Sequence, residues 1–150
     1  MAIIEAKRRG WLSPGLAEHL PKIIDLYRPR QKAMLAALAQ HLPSDFHWSQ
    51  PEGGMFVWVE GPPEINMAAI YRAAVKRQVA FVPGHFFFAQ SERGLNTMRL
   101  NFTMPDVLEI DRAIRTLGEI MVENAARPEA LPSGGRERCQ DASRAGIEVF

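Results

Sequence analysis

The sequence predicts an α+β domain: a small, mainly antiparallel sheet of three or four short strands, with helices packed on one of its faces. Apolar residues recur at helical spacing in three segments, 16–42, 66–77 and 106–124. Shorter segments rich in Phe, Val and Trp lie between these helices and are bounded by Pro and Gly. With 150 residues, 47% of them apolar and 23% charged, the chain can bury one core of ordinary size.

The first segment predicts a long amphipathic helix over residues 16–42. Ser13-Pro14 favours a helix start, and Pro43 stops the helix. Pro29 lies inside the pattern and lacks a backbone N–H. We therefore expect two helical pieces in continuous register, with a kink or break near Arg28. The predicted buried side consists of Leu20, Ile23, Ile24, Tyr27, Met34, Leu35, Leu38 and Leu42.

Short strands are predicted after this helix. Residues 46–49 form an extended piece, and residues 55–60 are rich in Phe, Val and Trp, as buried strands are. The turn between them, Pro51-Glu52-Gly53-Gly54, ends in two glycines that tolerate positive φ. Residues 79–82 predict a third strand, which Pro83-Gly84 ends.

The fourth predicted strand, residues 96–102, has one apolar and one polar face. Its apolar residues are Met98, Leu100 and Phe102, and they alternate with Thr97, Arg99 and Asn101. Arg99 presents a planar fork of N–H donors that suits a carboxylate. The pattern alone leaves two interpretations open: a surface ion pair, with Glu52 or Glu60 as a partner across the sheet, or a ligand site.

Two more helices and a tail complete the prediction. Asn66 should cap a helix to Arg77, and Asp106 should open a helix to about Asn124. Their predicted inner sides are Met67, Ile70, Tyr71, Ala74 and Val75 in the first, and Val107, Ile110, Ile114, Leu117 and Met121 in the second, with Ala113 and Ile120 beside them. We expect residues 1–124 to form the domain and residues 125–150 a tail that is mobile or ordered by a partner.

Composition and motifs argue against several classes of function. A net charge of +1 and scattered basic residues argue against nucleic-acid binding, and no apolar run is long enough for a membrane span. Cys139 is the one cysteine, which fits a reducing cytoplasm. The four histidines lack metal-ligand spacing, so we expect no metal site. Serine-hydrolase, dinucleotide and Walker motifs are absent.

Three motifs in order resemble one family. They are Pro51-Glu52-Gly53-Gly54-Met55-Phe56-Val57-Trp58, then Val79-Ala80-Phe81-Val82-Pro83-Gly84 with Phe87, then Asn96-Thr97-Met98-Arg99-Leu100-Asn101-Phe102. Together they resemble the C-terminal small domain of a fold-type I, pyridoxal-phosphate-dependent aminotransferase of class I/II, in the 2-aminoadipate and kynurenine branch. Residues 16–42 resemble the helix that joins the large and small domains in that family.

The resemblance implies roles for three residues. Arg99 corresponds to the arginine that binds the α-carboxylate of the amino-acid or 2-oxo-acid substrate. Gly53 and Gly54 correspond to glycines whose missing side chains let the substrate approach, although a plain tight turn would also use them. Substrate-binding residues are therefore expected at Arg99, Gly53 and Gly54.

One departure from the family limits these expectations. The family's cofactor lysine lies in the large domain, and none of Lys7, Lys22, Lys32 and Lys76 has the sequence context of that lysine. We expect no catalytic or cofactor-binding residue in this chain, no bound cofactor and no activity without the missing large domain. The whole enzyme would use pyridoxal phosphate and form a homodimer. The alternative is an effector-sensing or interaction domain of an aminotransferase-like transcription regulator.

Overall fold

The computed structural model describes residues 14–90, 93–125 and 148–149. The helices are α1 (Pro14–His41), α2 (Met67–Lys76) and α3 (Val107–Ala125). The strands are β1 (His47–Trp48), β2 (Phe56–Glu60), β3 (Val79–Ala80), β4 (Val82–Pro83), β5 (Thr97–Asn101) and β6 (Glu148–Val149), and a 3₁₀ turn, Gly84–Phe87, follows β4.

The main sheet has four strands in the order β1-β2-β5-β4, and every neighbouring pair is antiparallel. Val57 and Val59 of β2 lie opposite Leu100 and Met98 of β5, and all four side chains are fully buried. These residues form one layer of the core, and α1, α2 and α3 supply the other. The predicted α+β class, with a small antiparallel sheet covered by helices, is confirmed.

The predicted strand 79–82 is divided into two strands. Val82–Pro83 joins the main sheet beside β5, whereas Val79–Ala80 pairs in parallel with β6. Phe81, between them, is 1% exposed, and its ring meets that of Tyr71 edge-on at 5.6 Å. The chain changes its pairing partner where this buried ring is anchored, which no local pattern could indicate.

Helix α1 runs without interruption from Pro14 to His41, so the expected continuous register is confirmed, and the kink or break expected near Arg28 does not interrupt the helix. Pro21 and Pro29 both lie on its exposed side, where water can hydrate the carbonyl groups that lose a backbone donor. The predicted buried side is correct for Met34, Leu38 and Leu42 but wrong for Ile23 and Ile24, which are 43% and 46% exposed. The first half of α1 extends past the core, so no helix or strand among the described residues covers these apolar side chains.

The other two helices begin with the expected caps. Asn66 Oδ1 accepts hydrogen bonds from the backbone N–H groups of Ala68 (2.9 Å) and Ala69 (3.3 Å). Asp106 and Glu109 form a reciprocal capping box at the start of α3. Val107 was expected on the inner side of α3, but it is 46% exposed because it lies in the first turn, ahead of the packed part of the helix.

Helices α1 and α3 approach closely where α1 ends. His41 Nε2 lies 2.9 Å from Asp111 Oδ1, and Asp111 also pairs with Arg115 one turn further along α3. At Gly118, a Cβ would lie 3.0 Å from the carbonyl carbon of His41 and closer still to its oxygen. The absence of a side chain at position 118 therefore lets the end of α1 rest on α3.

The predicted tail falls mostly on residues 126–147 and 150, which lie outside the described residues. Glu148–Val149 form β6, so this short piece of the tail pairs with β3. Within the described ranges, no helix is both long and apolar enough to cross a membrane.

Candidate functional site

The site begins with the face of the sheet that points away from the helices. Arg99 of β5 lies directly opposite Trp58 of β2 on one side and Val82 of β4 on the other. Residues paired across an antiparallel ladder point to the same face, and their neighbours Met98 and Leu100 point into the core. Arg99 therefore occupies the middle of the outer face.

Two phenylalanine rings contact the guanidinium group of Arg99. Its Cζ atom lies over the ring of Phe56, 4.1 Å from the centroid, and over the ring of Phe87 at 4.5 Å. Phe87 also meets Trp58 edge-on, with the ring centroids 5.7 Å apart. Aromatic faces attract a guanidinium and exclude water beside it, so Arg99 is held in a partly apolar setting.

The same guanidinium has no charged partner in the described part of the chain. Its Nε atom is buried and makes no hydrogen bond, and no carboxylate among residues 14–90, 93–125 and 148–149 forms an ion pair with it. The ion pair with Glu52 or Glu60 that was considered from the sequence is not among the ion pairs of the described residues. A buried donor without a partner costs about 1–3 kcal/mol, so the packing around Arg99 must offset that cost.

The loop that carries Phe87 packs tightly on β5. A Cβ at Gly84 would lie 2.8 Å from the Cβ of Thr97, so only glycine fits at the start of the 3₁₀ turn. Thr97 Oγ1 donates to the Gly94 carbonyl at 2.7 Å, and Gly94 has φ +73°, where a side chain would meet the ring of Phe88. These close contacts place Phe87 beside Arg99.

His85, in the same loop as Phe87, also carries a buried polar atom. Its Nδ1 has no hydrogen-bond partner among the described residues, and its ring lies 4.2 Å from that of Phe86. Burial lowers the pKa of His85 below its ordinary value, which favours the neutral imidazole.

Gly53 and Gly54 lie in the turn before β2, and the structure does not bring them into contact with Arg99. Gly54 has φ +95°, which a glycine adopts without strain, and a Cβ at either position would meet nothing within 4 Å. Gln31 of α1 donates to the Pro51 carbonyl and ties this turn to the first helix. The positive φ of Gly54 explains a glycine there as part of a plain turn. The open space beside both glycines also leaves room for a ligand.

The lysines of the described residues differ from a cofactor lysine in their surroundings. Lys22, Lys32 and Lys76 are all exposed on helices, whereas a cofactor lysine needs an enclosed site with a phosphate cradle beside it. Within the described ranges, no group of three His, Cys, Asp or Glu residues could hold a metal ion. Among the described residues, the site therefore consists of an arginine in an aromatic setting.

Arg99 and the three aromatic residues around it, Phe56, Trp58 and Phe87, all belong to the sequence motifs, but the motifs did not indicate that these side chains touch. Phe56 and Phe87 were part of the resemblance, and Trp58 was assigned to a buried strand. The contact of Phe87 with Arg99 joins a loop to a strand. The close packing of Gly84 and Gly94 on their neighbours brings the loop to the strand, and spacing along the sequence does not reveal that contact.

Known proteins of one family are similar to this chain in sequence. Residues 13–117 match the family described as aminotransferase class I and II. The chain is 45% identical over 108 residues to aromatic-amino-acid aminotransferase 1 of Thermococcus litoralis, covering 72% of the chain and 26% of that protein. It is 38% identical over 110 residues to the 2-aminoadipate transaminase of Thermus thermophilus, covering 73% and 28%.

Solved structures show the same fold. The multiple substrate aminotransferase of Thermococcus profundus superimposes with a TM-score of 0.71 at 41% identity, over 82% of this chain and 29% of that one. A more distant relative is an uncharacterized HTH-type transcriptional regulator of Bacillus subtilis, 24% identical over 110 residues, which are 73% of the chain and 22% of that protein. The chain thus spans about a quarter of the length of the curated relatives that it matches.

Proposed function

Since the chain belongs to the aminotransferase class I and II family, we propose that it is the small, substrate-binding domain of an enzyme that transfers an amino group between an amino acid and a 2-oxo acid. The observation that carries this proposal is Arg99, a guanidinium in an aromatic setting without an ion-pair partner among the described residues. The two substrates would be an amino acid and a 2-oxo acid, and the rest of the enzyme would help to determine which ones are accepted.

Arg99 would bind the α-carboxylate of the substrate. Guanidinium and carboxylate match as planar groups and form two parallel hydrogen bonds, which fix both the position and the plane of the substrate's reacting carbon. Orientation of this kind supplies much of the rate of an enzyme. Gly53 and Gly54, which leave open space at the turn before β2, would line the approach of the substrate.

The chemistry of transamination would come from pyridoxal phosphate, bound by a large domain. This cofactor withdraws electrons from the substrate and carries the amino group between the two half-reactions. The exposed lysines of the described residues do not fit its attachment site. We therefore propose that this chain alone binds no cofactor and transfers no amino group, and that the complete enzyme is a cytoplasmic homodimer.

A chimera tests the role of Arg99. In the Thermococcus litoralis aminotransferase, the segment that matches this chain would be replaced by the matching residues of the chain, and transfer from an aromatic amino acid would be measured. Arg99→Lys keeps the charge but loses the fork, and Arg99→Ala loses both. We expect either change to cost about 2–4 kcal/mol, or roughly 30- to 1000-fold in kcat/KM, with cofactor absorbance and melting temperature nearly unchanged.

The matched control is Arg72→Ala, which removes an exposed arginine from α2. It should leave kcat/KM within about twofold, as most surface substitutions away from a site do. An unchanged kcat/KM for Arg99→Ala would contradict the carboxylate role. A lower melting temperature with normal kinetics would instead assign Arg99 a structural role.

The alternative function is an effector-sensing or interaction domain of an aminotransferase-like transcription regulator. The distant relationship to a helix-turn-helix regulator favours it, although the aminotransferases are more similar to the chain. The nucleotide sequence upstream of the codon for Met1 discriminates between the two. A large domain with a cofactor lysine and no DNA-binding module supports the enzyme, whereas a helix-turn-helix domain ahead of the large domain supports the regulator.

A further inference from the structure

The arginine at the centre of the site is held by aromatic rings rather than by carboxylates. We propose that Phe87 and Phe56 are positioning residues, which orient the guanidinium of Arg99 so that a carboxylate is received by its two terminal nitrogens and not by Nε. This inference rests on the proposed function, because it specifies how Arg99 would bind the substrate.

The accessibility of the guanidinium atoms indicates the direction of approach. Nε of Arg99 is buried and lacks a hydrogen-bond partner. This is not the case for either terminal nitrogen. A carboxylate can bind an arginine side-on, through Nε and one terminal nitrogen, or end-on, through both terminal nitrogens. The burial of Nε leaves the end-on geometry.

The position of Phe87 is better explained by Arg99 than by core packing. Its side chain is 49% exposed, so it contributes little to the buried core. The ring contacts Arg99 and, edge-on, Trp58, which lies directly opposite Arg99 in the sheet. Phe87 thus connects a loop to the two strands that present the arginine, and it restricts rotation of the guanidinium.

Phe56 contacts the same cation from within β2. It lies two residues before Trp58, on the same face of the strand, and its centroid is 4.1 Å from Cζ of Arg99. The two rings limit the positions that the guanidinium can occupy. A carboxylate would therefore meet a preorganised fork, which lowers the entropy cost of binding.

The first experiment measures the position of Arg99 in the 150-residue chain itself. In a ¹H–¹⁵N spectrum of the arginine side chains, assigned with Arg99→Lys, we expect the Nε–H signal of Arg99 to be shifted by ring currents and protected from exchange with water. Phe87→Leu should remove much of the ring-current shift and of the protection from exchange. Phe87→Tyr, which keeps an aromatic ring, should retain both. Phe86→Leu is the matched control, because Phe86 contacts His85 and not Arg99; it should leave the signal in place.

The second experiment measures the kinetic consequence in the chimera. We expect Phe87→Leu to lower kcat/KM by about three- to tenfold, with Phe87→Tyr close to the original value. In the Arg99→Lys background, Phe87→Leu should add little further loss, because residues that act through one another are not additive. Additive losses, or an Arg99 signal and a kcat/KM that Phe87→Leu leaves unchanged, would overturn the positioning role.

The outcomes separate this inference from the proposed function. If Arg99→Lys leaves kcat/KM unchanged, the carboxylate role fails whatever the spectrum shows. If Arg99→Lys is strongly impaired and Phe87→Leu is not, the carboxylate role stands and the positioning role alone is wrong.

Discussion

Replacing Gly118 by alanine should destabilise the domain, although alanine is the better helix former. The position lies inside α3, where an unobstructed Gly→Ala change would stabilise the helix by about 1 kcal/mol. Here the new methyl group would meet the backbone carbonyl of His41, 3.0 Å from its carbon and closer to its oxygen. A backbone carbonyl at the end of a helix cannot rotate away as a side chain can.

The magnitude follows from how far the two helices must separate. The carbonyl oxygen of His41 lies nearer to the new methyl group than the carbonyl carbon does, so it sets the separation: α1 and α3 must move apart by about 1 Å to restore ordinary van der Waals contact. A gap of that size loses about a quarter to a half of the dispersion energy of each contact across it. Leu38 of α1 and Leu117 of α3 belong to the same fully buried core, so we expect overpacking to cost about 3 kcal/mol, the upper end of the usual range. After the gain of about 1 kcal/mol in helix propensity is subtracted, the net loss is about 2 kcal/mol.

Urea unfolding of the 150-residue chain, followed by circular dichroism, measures this loss as a lower midpoint at constant slope. Gly53→Ala is the control, because a Cβ there would meet nothing within 4 Å and φ is not in the positive range; its midpoint should barely change. If Gly118→Ala raised the midpoint, the close approach of α1 and α3 would be wrong.

Two further predictions concern pH and association. The hydrogen bond from His41, with the Arg115 charge, holds the pKa of Asp111 below its ordinary value. Asp111 should therefore stabilise the fold above the ordinary carboxyl range, with the effect lost as pH falls through its folded pKa. Asp111→Asn should make the fall in melting temperature of the chain shallower below about pH 5. Ile23 and Leu26 are 43% and 55% exposed, so light scattering should detect concentration-dependent self-association of the chain, which Leu26→Glu weakens; a monodisperse monomer at high concentration would contradict this.

The sequence predicted what depends on local periodicity. Alternation of period two correctly placed Met98, Leu100 and Phe102 in the core. Asn66 was correctly predicted to cap the start of α2 with its side chain. Both signals are local, since a strand face and a helix cap are decided by residues next to one another in the chain.

The sequence failed where burial depends on a distant segment. Amphipathic spacing marked Ile23 and Val107 as apolar positions, but it could not show that they are left exposed by the described helices and strands. The change of partner at Phe81 and the contact of Phe87 with Arg99 likewise depend on which parts of the chain meet in space. For the same reason Arg99 could be named from its motif, whereas its aromatic setting could not.

The edges of the main sheet have a consequence for how this domain can associate. Its two outer strands, β1 and β4, are two residues long, and β4 ends in Pro83, which has no backbone N–H. Short edges with a proline offer few main-chain groups to which a second chain could add a strand. Any oligomer should therefore form through side-chain surfaces such as the first half of α1, and fibrous, sheet-extending aggregation is disfavoured by the fold itself.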